Sequence, residues 1–522
     1  MGWEGINRRA SRPAVSVGRL VTEIGNMAFD ETLYAAAPVW MQNVLMNVHG
    51  MRIHRHRYGG AYQRLLNQFD ALARGSREAL HQFQWQRLQQ VLHHAATQSD
   101  FYRERFGGTG AGVPPIACLE DLATLPLLTK EEVRDALPRL LTSPTPKRGW
   151  LHGHTSGTTG SPLSLWYDRT TCHATNAGDR LQKRWAGIGD TEWVGLLLGR
   201  QVVPVKQQHP PYWRSNAVQR QVWFSSLHLS PATLPLYVDE IRRRSLQAIE
   251  GYPSTLYVLA RFLLDRNIRL PMRAVFSSSE TLLDMQREAI EEAFQAPLFD
   301  FYGHAERAIF AIECAEHQGK HLLEPFGITE VVNAQGDPVP DGEFGYLVGT
   351  SLFNTAMPMI RYRTGDISAI DRTPCRCGSV FPRIVNVSTK AEDIVVLPDG
   401  RWLSPSAITH PFKPFPEITE SQVIQETVHT VRVNLVAGSA FTPSRESQLL
   451  AALRERLGDG VAVHIARVEQ IPRERSGKFR WVISRVPHTL QLSWSAPPQA
   501  PHAASQQASH DALAVHEPPV TR

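Results

Sequence analysis

Between residues 193 and 303, short apolar runs alternate with segments in which apolar residues recur at helical spacing. The runs are WVGLLLG at 193–199, AVFSSSE at 274–280 and PLFDFYG at 297–303. This alternation predicts an α/β architecture, in which helices cover a sheet and functional loops gather at the carboxyl ends of the strands. The loops after Phe276 and Phe301 are therefore expected to face a common site.

A loop rich in glycine and hydroxyl residues precedes this region, with the sequence HTSGTTGSP at 154–162. Its glycines allow tight bends, and its hydroxyl and backbone N–H groups can surround an anion. The residues expected to do so are Thr155, Ser156, Gly157, Thr158, Thr159 and Gly160. No GK[ST] follows, so this is not a Walker loop, and an ordinary glycine-rich hairpin turn is the alternative. If the loop holds phosphate, a cation must come from elsewhere in the chain.

The spacing of apolar residues changes at about residue 391. The segments VHTVRVNLVAG and GVAVHIARV alternate at period two, and a leucine stripe at helical spacing lies between them, which predicts a small α+β unit. The tail is rich in Pro, Ala, Gln and Ser and is expected to be disordered. The predicted divisions are an N-terminal extension (1–70), a large domain (71–388), a small C-terminal domain (389–486) and a tail (487–522).

Length, composition and charge indicate what kind of protein this is. A chain of 522 residues with 42% hydrophobic residues can build a substantial core. The net charge of +5 is small for this length, so nucleic-acid binding is disfavoured, and the basic cluster between Arg52 and Arg57 is interpreted as a solvated face. Five cysteines favour a reducing compartment. Since neither a signal peptide nor an apolar run of about 18 residues is apparent, we expect a cytoplasmic protein without a membrane span.

Four further motifs follow the hydroxyl loop in order along the chain. They are SSSETL at 277–282, FYGHAE at 301–306, RYRTGD at 361–366 and RERSGKFR at 473–480. Together with HTSGTTGSP they resemble the motifs of the adenylate-forming superfamily of acyl- and aryl-CoA ligases, in particular its phenylacetate–CoA ligase and CapK-like branch. The resemblance extends over about residues 70–486. It implies a large domain that binds ATP and a carboxylic acid, and a small, mobile C-terminal domain.

The resemblance implies roles for the first three motifs. The hydroxyl loop would wrap the β and γ phosphates of ATP, with Thr158 taking part in catalysis. In FYGHAE, Tyr302 and the adjoining Gly303 would meet adenine, and Glu306 would hold Mg²⁺, a cation that prefers oxygen ligands. Asp366 would accept hydrogen bonds from the ribose. The alternatives are a core aromatic for Tyr302, a first-turn helix acid for Glu306 and a turn residue for Asp366.

Further nucleotide contacts are implied by position. Ser278, Ser279 and Glu280 lie where the adenine-flanking loop of the superfamily runs. Lys478 is similar to the catalytic lysine of the mobile C-terminal domain, which would stabilise the charge that develops as a carboxylate attacks the α-phosphate. A solvated loop lysine is the alternative.

The segment STKAEDIV at 388–395 occupies the place of the superfamily's hinge but departs from its usual GRxDD pattern. Lys390 stands where an arginine that contacts ribose and phosphate is expected, and Glu392 stands in place of the hinge aspartate. Because lysine lacks the planar fork of arginine, a bidentate contact would be lost. Arg383 is near enough in sequence to be a candidate substitute.

Cysteine and histidine residues suggest a second kind of site. Cys375 and Cys377 form CRCG soon after RYRTGD, and Cys314 follows Glu306 by eight residues. With His317 or His321, of which we favour His321, they would make a Cys₃His set, which is usual for structural zinc. The alternative is a group of free thiols that binds no metal.

We therefore interpret the chain as an ATP-dependent ligase that converts a carboxylic acid to an acyl-adenylate and then to a coenzyme A thioester. Trp223, Phe224 and Tyr252 would suit an aromatic or other apolar acid, although they would serve equally well as core residues. Two alternatives stay open. The acyl group could pass to an acceptor other than coenzyme A, or the chain could be a non-catalytic nucleotide-binding protein linked to polysaccharide assembly. The sequence leaves the oligomeric state open, a homodimer included.

Overall fold

The computed structural model describes residues 34, 36–107, 116–154, 163–198, 202–204, 207–230, 232–388, 395–398, 402–403, 408, 410–412, 414–415, 417–472 and 480–486. The α-helices are α1 (Val39–Arg57), α2 (Tyr62–Ala73), α3 (Arg77–Gln98), α4 (Asp100–Arg105), α5 (Lys130–Asp135), α6 (Leu137–Leu140), α7 (Arg169–Trp185), α8 (Leu234–Arg244), α9 (Pro253–Asp265), α10 (Asp284–Phe294) and α11 (Pro443–Leu457).

The strands of the large body are β1 (Leu151–His154), β2 (Ser164–Tyr167), β3 (Val194–Leu197), β4 (Trp213–Asn216), β5 (Gln221–Phe224), β6 (Ala248–Gly251), β7 (Ala274–Ser278), β8 (Leu298–Gly303), β9 (Phe310–Glu313), β10 (Lys320–Leu322), β11 (Gly327–Val332), β12 (Gly345–Ser351), β13 (Tyr362–Asp371) and β14 (Arg383–Ser388). Those that follow are β15 (Val395–Val396), β16 (Trp402–Leu403), β17 (Ile418–Thr427), β18 (Thr430–Ala437), β19 (Ala462–Arg467) and β20 (Val482–Ser484).

Twelve of the described strands form one mixed sheet, in the order β11-β12-β13-β14-β10-β9-β8-β7-β6-β3-β5-β4. The adjacent strands β5, β3, β6, β7 and β8 run parallel to one another and form the parallel block. The other neighbouring pairs in the sheet are antiparallel. Each apolar run predicted from the sequence contains a strand of the parallel block, namely β3, β7 and β8. The α/β prediction is therefore confirmed. Strands β6 and β7 are buried throughout, as expected for parallel strands covered on both faces.

Helices pack on the sheet through apolar stripes. Helix α3 begins at Ser76, whose hydroxyl accepts from the Ala79 N–H. Helical spacing in the sequence predicts an inward stripe of Leu80, Phe83, Leu88, Val91, Leu92 and Ala95, and all but the partly buried Phe83 are buried. The T-x-x-E pattern at Thr129 and Glu132 predicts a capping box, which is present and begins α5. That helix ends at Asp135, close to Pro138 as the sequence predicts. Pro138 itself belongs to the next helix. It lies in the first turn of α6, where a missing N–H has no cost.

The part of the chain before residue 71 packs on the large body. Tyr62, Leu65, Leu66 and Phe69 of α2 share one hydrophobic core with α3 and α7. The structure thus shows no division at residue 70. In contrast, β17 to β20 form a separate four-stranded sheet, and α11 buries Leu449, Leu453 and Leu457 in the core of that smaller unit. No helix in the described ranges is both long enough and apolar enough to cross a membrane.

Candidate active site

The motif residues of β7 and β8 lie together at the carboxyl edge of the parallel block. Ser278 ends β7 and pairs in register with Phe301, the residue before Tyr302 in β8. Gly303 ends β8. The Phe310 ring occupies the space that a side chain at position 303 would need. The topology therefore brings the SSSETL and FYGHAE motifs to one edge, where ligands bind in open α/β sheets.

Tyr302 and Asp366 form a hydrogen-bonded pair across the sheet. The Tyr302 hydroxyl donates to Asp366 Oδ2 over 2.6 Å, and the Asp366 N–H donates to Thr364 Oγ1. The Tyr302 ring is buried in a small core with Ile309 and Leu347. Burial, reinforced by the Asp366 carboxylate, raises the pKa of Tyr302 well above its usual value. The hydroxyl therefore stays protonated and fixes the orientation of Asp366.

Glu306 is buried, and each of its two carboxylate oxygens accepts a hydrogen bond. The Tyr362 hydroxyl donates to Oε1 over 2.7 Å, and His304 Nδ1 lies 3.0 Å from Oε2. Since the Ile309 N–H donates to His304 Nε2, the imidazole proton belongs on Nδ1, from which it is donated to Glu306. Burial alone would raise the pKa of Glu306, but the bonds from His304 and Tyr362 outweigh it and lower the pKa to about 2. Glu306 is thus a permanent anion.

The β-hairpin that flanks the hydroxyl loop contacts the chain beside this carboxylate. Strands β1 and β2 pair from Leu151↔Tyr167 to His154↔Ser164, so they bracket the loop at its base. The Tyr167 hydroxyl donates to the backbone oxygen of Ala305 over 2.6 Å. Tyr167 lies at the end of the hairpin away from the loop, so this bond joins β2 to the residue before Glu306. Thr155, Ser156, Gly157, Thr158, Thr159 and Gly160 themselves lie outside the described residues.

Relatives support the resemblance found in the motifs. A family described as CapK C-terminal domain matches residues 395–485. Protein CapK of Staphylococcus aureus is 24% identical over 462 positions, covering 87% of this chain and 99% of CapK. Phenylacetate–coenzyme A ligase of Thermus thermophilus is 24% identical over 456 positions, covering 78% and 97% of the two chains. A 2-hydroxyisobutyryl-CoA ligase in its postadenylation state superimposes with a TM-score of 0.63 at 20% identity, over 80% of this chain and 91% of that chain.

The chain has the fold of an adenylate-forming ligase. The predicted relationship to CapK and the phenylacetate–CoA ligases is confirmed. The same 2-hydroxyisobutyryl-CoA ligase in its thioesterification state gives a TM-score of 0.50, over 80% of this chain and 92% of that chain. Overall, the structure is therefore more similar to the postadenylation state than to the thioesterification state.

Other predicted residues of this adenylate-forming fold have structural partners. Glu280 Oε2 accepts from the Ser254 N–H over 3.1 Å, which satisfies a free donor at the start of α9. Ser279 has a φ of 70° and lies with its hydroxyl 3.3 Å from that of Ser278. Ser278 is buried, whereas Ser279 is exposed beyond the strand end. Lys478 and Lys390 lie outside the described residues, so their roles stay predictions.

Arg383 is not placed with the nucleotide motifs. It begins β14, at the opposite end of that strand from Ser388, and its Nη2 contacts Asp371 Oδ2 at 2.5 Å and Thr373 Oγ1 at 2.7 Å. Its side chain is almost completely buried, and contact with phosphate would require it to give up these bonds. The hypothesis that Arg383 substitutes for a nucleotide-contacting arginine is corrected accordingly.

Arg307 lies beside the candidate site but was not among the residues predicted from the sequence. Its guanidinium lies over the Tyr167 ring, 4.1 Å from the centroid, and its Nη1 donates to Cys172 Sγ over 3.4 Å. Burial lowers the pKa of Arg307 to about 10. From the position directly after Glu306, this arginine therefore contacts β2 and helix α7. Its position next to Glu306 in the chain was the available signal, but Tyr167 is 140 residues away and could not be paired with it from spacing.

A Cys/His cluster lies where β9 and β10 meet the loop before β14. The ligand atoms of Cys314, His321, Cys375 and Cys377 lie within 4.8 Å of one another. Cys314 Sγ is 3.7 Å from Cys375 Sγ, and Cys377 Sγ is 3.3 Å from His321 Nε2. His321 rather than His317 completes the set, since His317 turns to Glu313. The predicted four residues are thus brought together.

Proposed function

We propose that this chain is an AMP-forming acid–CoA ligase. The observation that carries the proposal is the convergence of the hydroxyl-loop hairpin, the Tyr302–Asp366 pair and Glu306 at one edge of the sheet. In the first step, the carboxylate attacks the α-phosphorus of ATP, forming an acyl-adenylate and releasing pyrophosphate. In the second step, the thiolate sulfur of coenzyme A attacks the acyl carbon, so that a thioester forms and AMP leaves.

Each chemical requirement of the first step is matched by a candidate group in this chain. Glu306 would hold Mg²⁺, because it is ionised and each of its oxygens keeps a second lone pair beside the hydrogen bond it accepts. Asp366, held by Tyr302, would accept from the ribose hydroxyls. The hydroxyl loop would surround the β and γ phosphates, and Lys478 would supply the positive charge that the loop lacks.

Coenzyme A is proposed as the acceptor on the strength of the relatives. Proteins named phenylacetate–coenzyme A ligase match 63–80% of this chain, including one from Pseudomonas putida that is 26% identical. Their names also favour an aromatic acid as substrate. Of the candidate lining residues, Phe224 is excluded because it is buried and stacks on Tyr237. Trp223 and Tyr252 are partly exposed and stay candidates.

The experiment is an ATP–pyrophosphate exchange assay on the full chain with Mg²⁺ and a panel of carboxylic acids, with adenylate and thioester products measured by mass spectrometry. Acid-dependent exchange, with thioester appearing when coenzyme A is added, is the expected result. Exchange without thioester would favour a different acceptor. Nucleotide binding without exchange for any acid, aromatic or aliphatic, would favour the non-catalytic alternative.

We propose in addition that the Cys/His cluster holds a structural zinc ion. The donor set fits: His321 Nδ1 lies 2.7 Å from the Phe381 backbone oxygen, to which it can donate, and this leaves Nε2 to face the thiols. Three thiolates and one imidazole complete a tetrahedral set with no open position. The cluster loop also contacts the N-terminal helices, since the Val380 N–H donates to Ala73 O and Arg77 donates to Val380 O. Zinc would therefore fasten those helices to the sheet. A reducing compartment such as the cytoplasm would keep the thiols available.

A further inference from the structure

Helix α1 exposes apolar side chains along most of its length. Trp40, Val44, Val48 and Met51 follow the spacing i, i+4, i+8 and i+11, which keeps them on one side of the helix over about 17 Å. Trp40 is 65% exposed and Val44 is 51% exposed. In the described part of the chain, the exposed large hydrophobic residues are these four together with Met41 and Val218. All six therefore belong to α1 or to the turn beside it.

The side of α1 that packs on the body buries Ile53 but is attached mainly through polar contacts. Asn43 Oδ1 accepts from the Ser215 N–H over 3.0 Å, and Asn47 both donates to Ser215 O and accepts from the Ala217 N–H. Gln42 Oε1 accepts from Arg214 Nε over 2.6 Å. Strand β4 is an edge of the large sheet, so these amides satisfy backbone groups that would otherwise be unpaired.

The amide contacts that attach α1 to β4 do not use Trp40, Val44 or Val48, and among the described residues no contact explains this apolar face. Contiguous apolar surface that stays exposed in a folded protein marks an interaction site. The turn that follows β4 extends the same patch, because Ala217 bonds to Asn47 and Val218 is 37% exposed.

Positive charge continues this face toward the helix end. Helix α1 contains Arg52, Arg55 and Arg57 and no acidic residue. Arg52, His54 and Arg55 are exposed, and so is Arg220 in the neighbouring turn. A second copy of this helix would bring more positive charge. Residues 1–33 contain four arginines and four acidic residues, so that segment has no net negative charge to offer. An anionic lipid surface supplies both an apolar layer and the opposite charge.

We propose that α1 and the 217–220 turn form a docking surface for an anionic lipid bilayer. The helix lies in the plane of the interface, with Val44, Val48 and Met51 below the headgroups and the arginines at the phosphates. Trp40 suits the headgroup level, where tryptophan is enriched. The proposal does not depend on the reaction that the ligase catalyses, because none of these residues lies in the candidate active site.

The test measures binding of the full chain to vesicles of phosphatidylcholine alone and to vesicles that also contain the anionic lipid phosphatidylglycerol. Wild type is compared with V44S/V48S and with R52Q/R55Q. The matched control is R454Q/R456Q, which removes two exposed arginines from α11. These substitutions are on exposed positions, and an unchanged melting temperature would establish that each variant folds.

Binding that requires phosphatidylglycerol, falls with salt and is lost in V44S/V48S is the expected result. R52Q/R55Q should bind about thirtyfold more weakly, which corresponds to about 1 kcal/mol for each arginine, and the control should bind as wild type does. Two results would overturn the proposal. One is an absence of vesicle binding together with a dimer, seen by light scattering, that V44S/V48S converts to monomer. The other is equal vesicle binding by all four proteins.

Discussion

Two buried polar clusters at different places on the same sheet satisfy their polar groups in different ways. At the nucleotide edge, each carboxylate already has protein donors: Tyr362 and His304 for Glu306, and Tyr302 for Asp366. In the Cys/His cluster, the ligand atoms have mainly one another, at sulfur distances that make weak hydrogen bonds. The comparison teaches that the first site is organised by protein donors alone, whereas under the zinc proposal the second would be completed by the ion.

The largest effect is expected from Glu306→Gln. This nearly isosteric change removes the negative charge that would hold Mg²⁺, so the rate of ATP–pyrophosphate exchange should fall about 1,000-fold, the scale of losing one strong electrostatic contact in a buried site. Glu343→Gln, on an exposed loop residue, is the matched control and should retain full activity. Exchange at the wild-type rate in the Glu306 variant would remove this carboxylate from the mechanism.

Loss of the metal should act on stability and hardly on chemistry. Cys375→Ser should abolish the binding of zinc, which would be present at one ion per chain in wild type, and should cost about 3 kcal/mol or more of unfolding free energy, or several degrees of melting temperature. Cys118→Ser is the control, because Cys118 is exposed and lies outside the cluster. Metal analysis that finds well under one zinc per chain in wild type would contradict the zinc proposal.

The free energy of unfolding should depend on pH through Glu306. The pKa of Glu306 is about 2 in the folded protein and about 4.5 when unfolded, so its contribution is complete above about pH 4.5 and is lost as the pH falls toward 2. The contribution is on the order of 3 kcal/mol. The difference in unfolding free energy between wild type and Glu306→Gln should therefore shrink over this interval. A difference that stays constant down to pH 3 would show that the carboxylate is not held ionised by its partners.

The smallest effect is expected from Tyr302→Phe. Asp366 would lose its fixed orientation but keep its charge, so KM for ATP should rise about fivefold, near 1 kcal/mol, with kcat little changed. Tyr237→Phe also removes a buried hydroxyl hydrogen bond, to Ser225 O, but far along the chain from the nucleotide motifs. It should lower the melting temperature and leave KM unaltered. Equal KM values in both variants would mean that the Tyr302–Asp366 pair has only a structural role.

Much of the site was predictable because its residues are close in sequence to recognisable patterns. FYGHAE could be placed at the end of a strand from the apolar run before it, and CRCG stands out by composition. The partners of those residues were not predictable. Tyr362 is itself part of RYRTGD, but its bond to Glu306 spans 56 residues, and no spacing rule relates the two. Arg383 shows the converse error, since proximity in sequence to the hinge did not bring it near the nucleotide motifs.

The sequence by itself determined the α/β order, the capping box at Thr129, the separate C-terminal unit and the set of four candidate zinc ligands. These depend on local spacing and side-chain chemistry, which the chain carries wherever it folds. Only the tertiary structure decided which groups face each other. Helix α1 is the clearest case, because the side chains of Asn43 and Asn47 turn inward only when β4 presents an unpaired edge. Periodicity records which residues share a helix face, but the neighbouring element determines whether that face is covered or left to a partner.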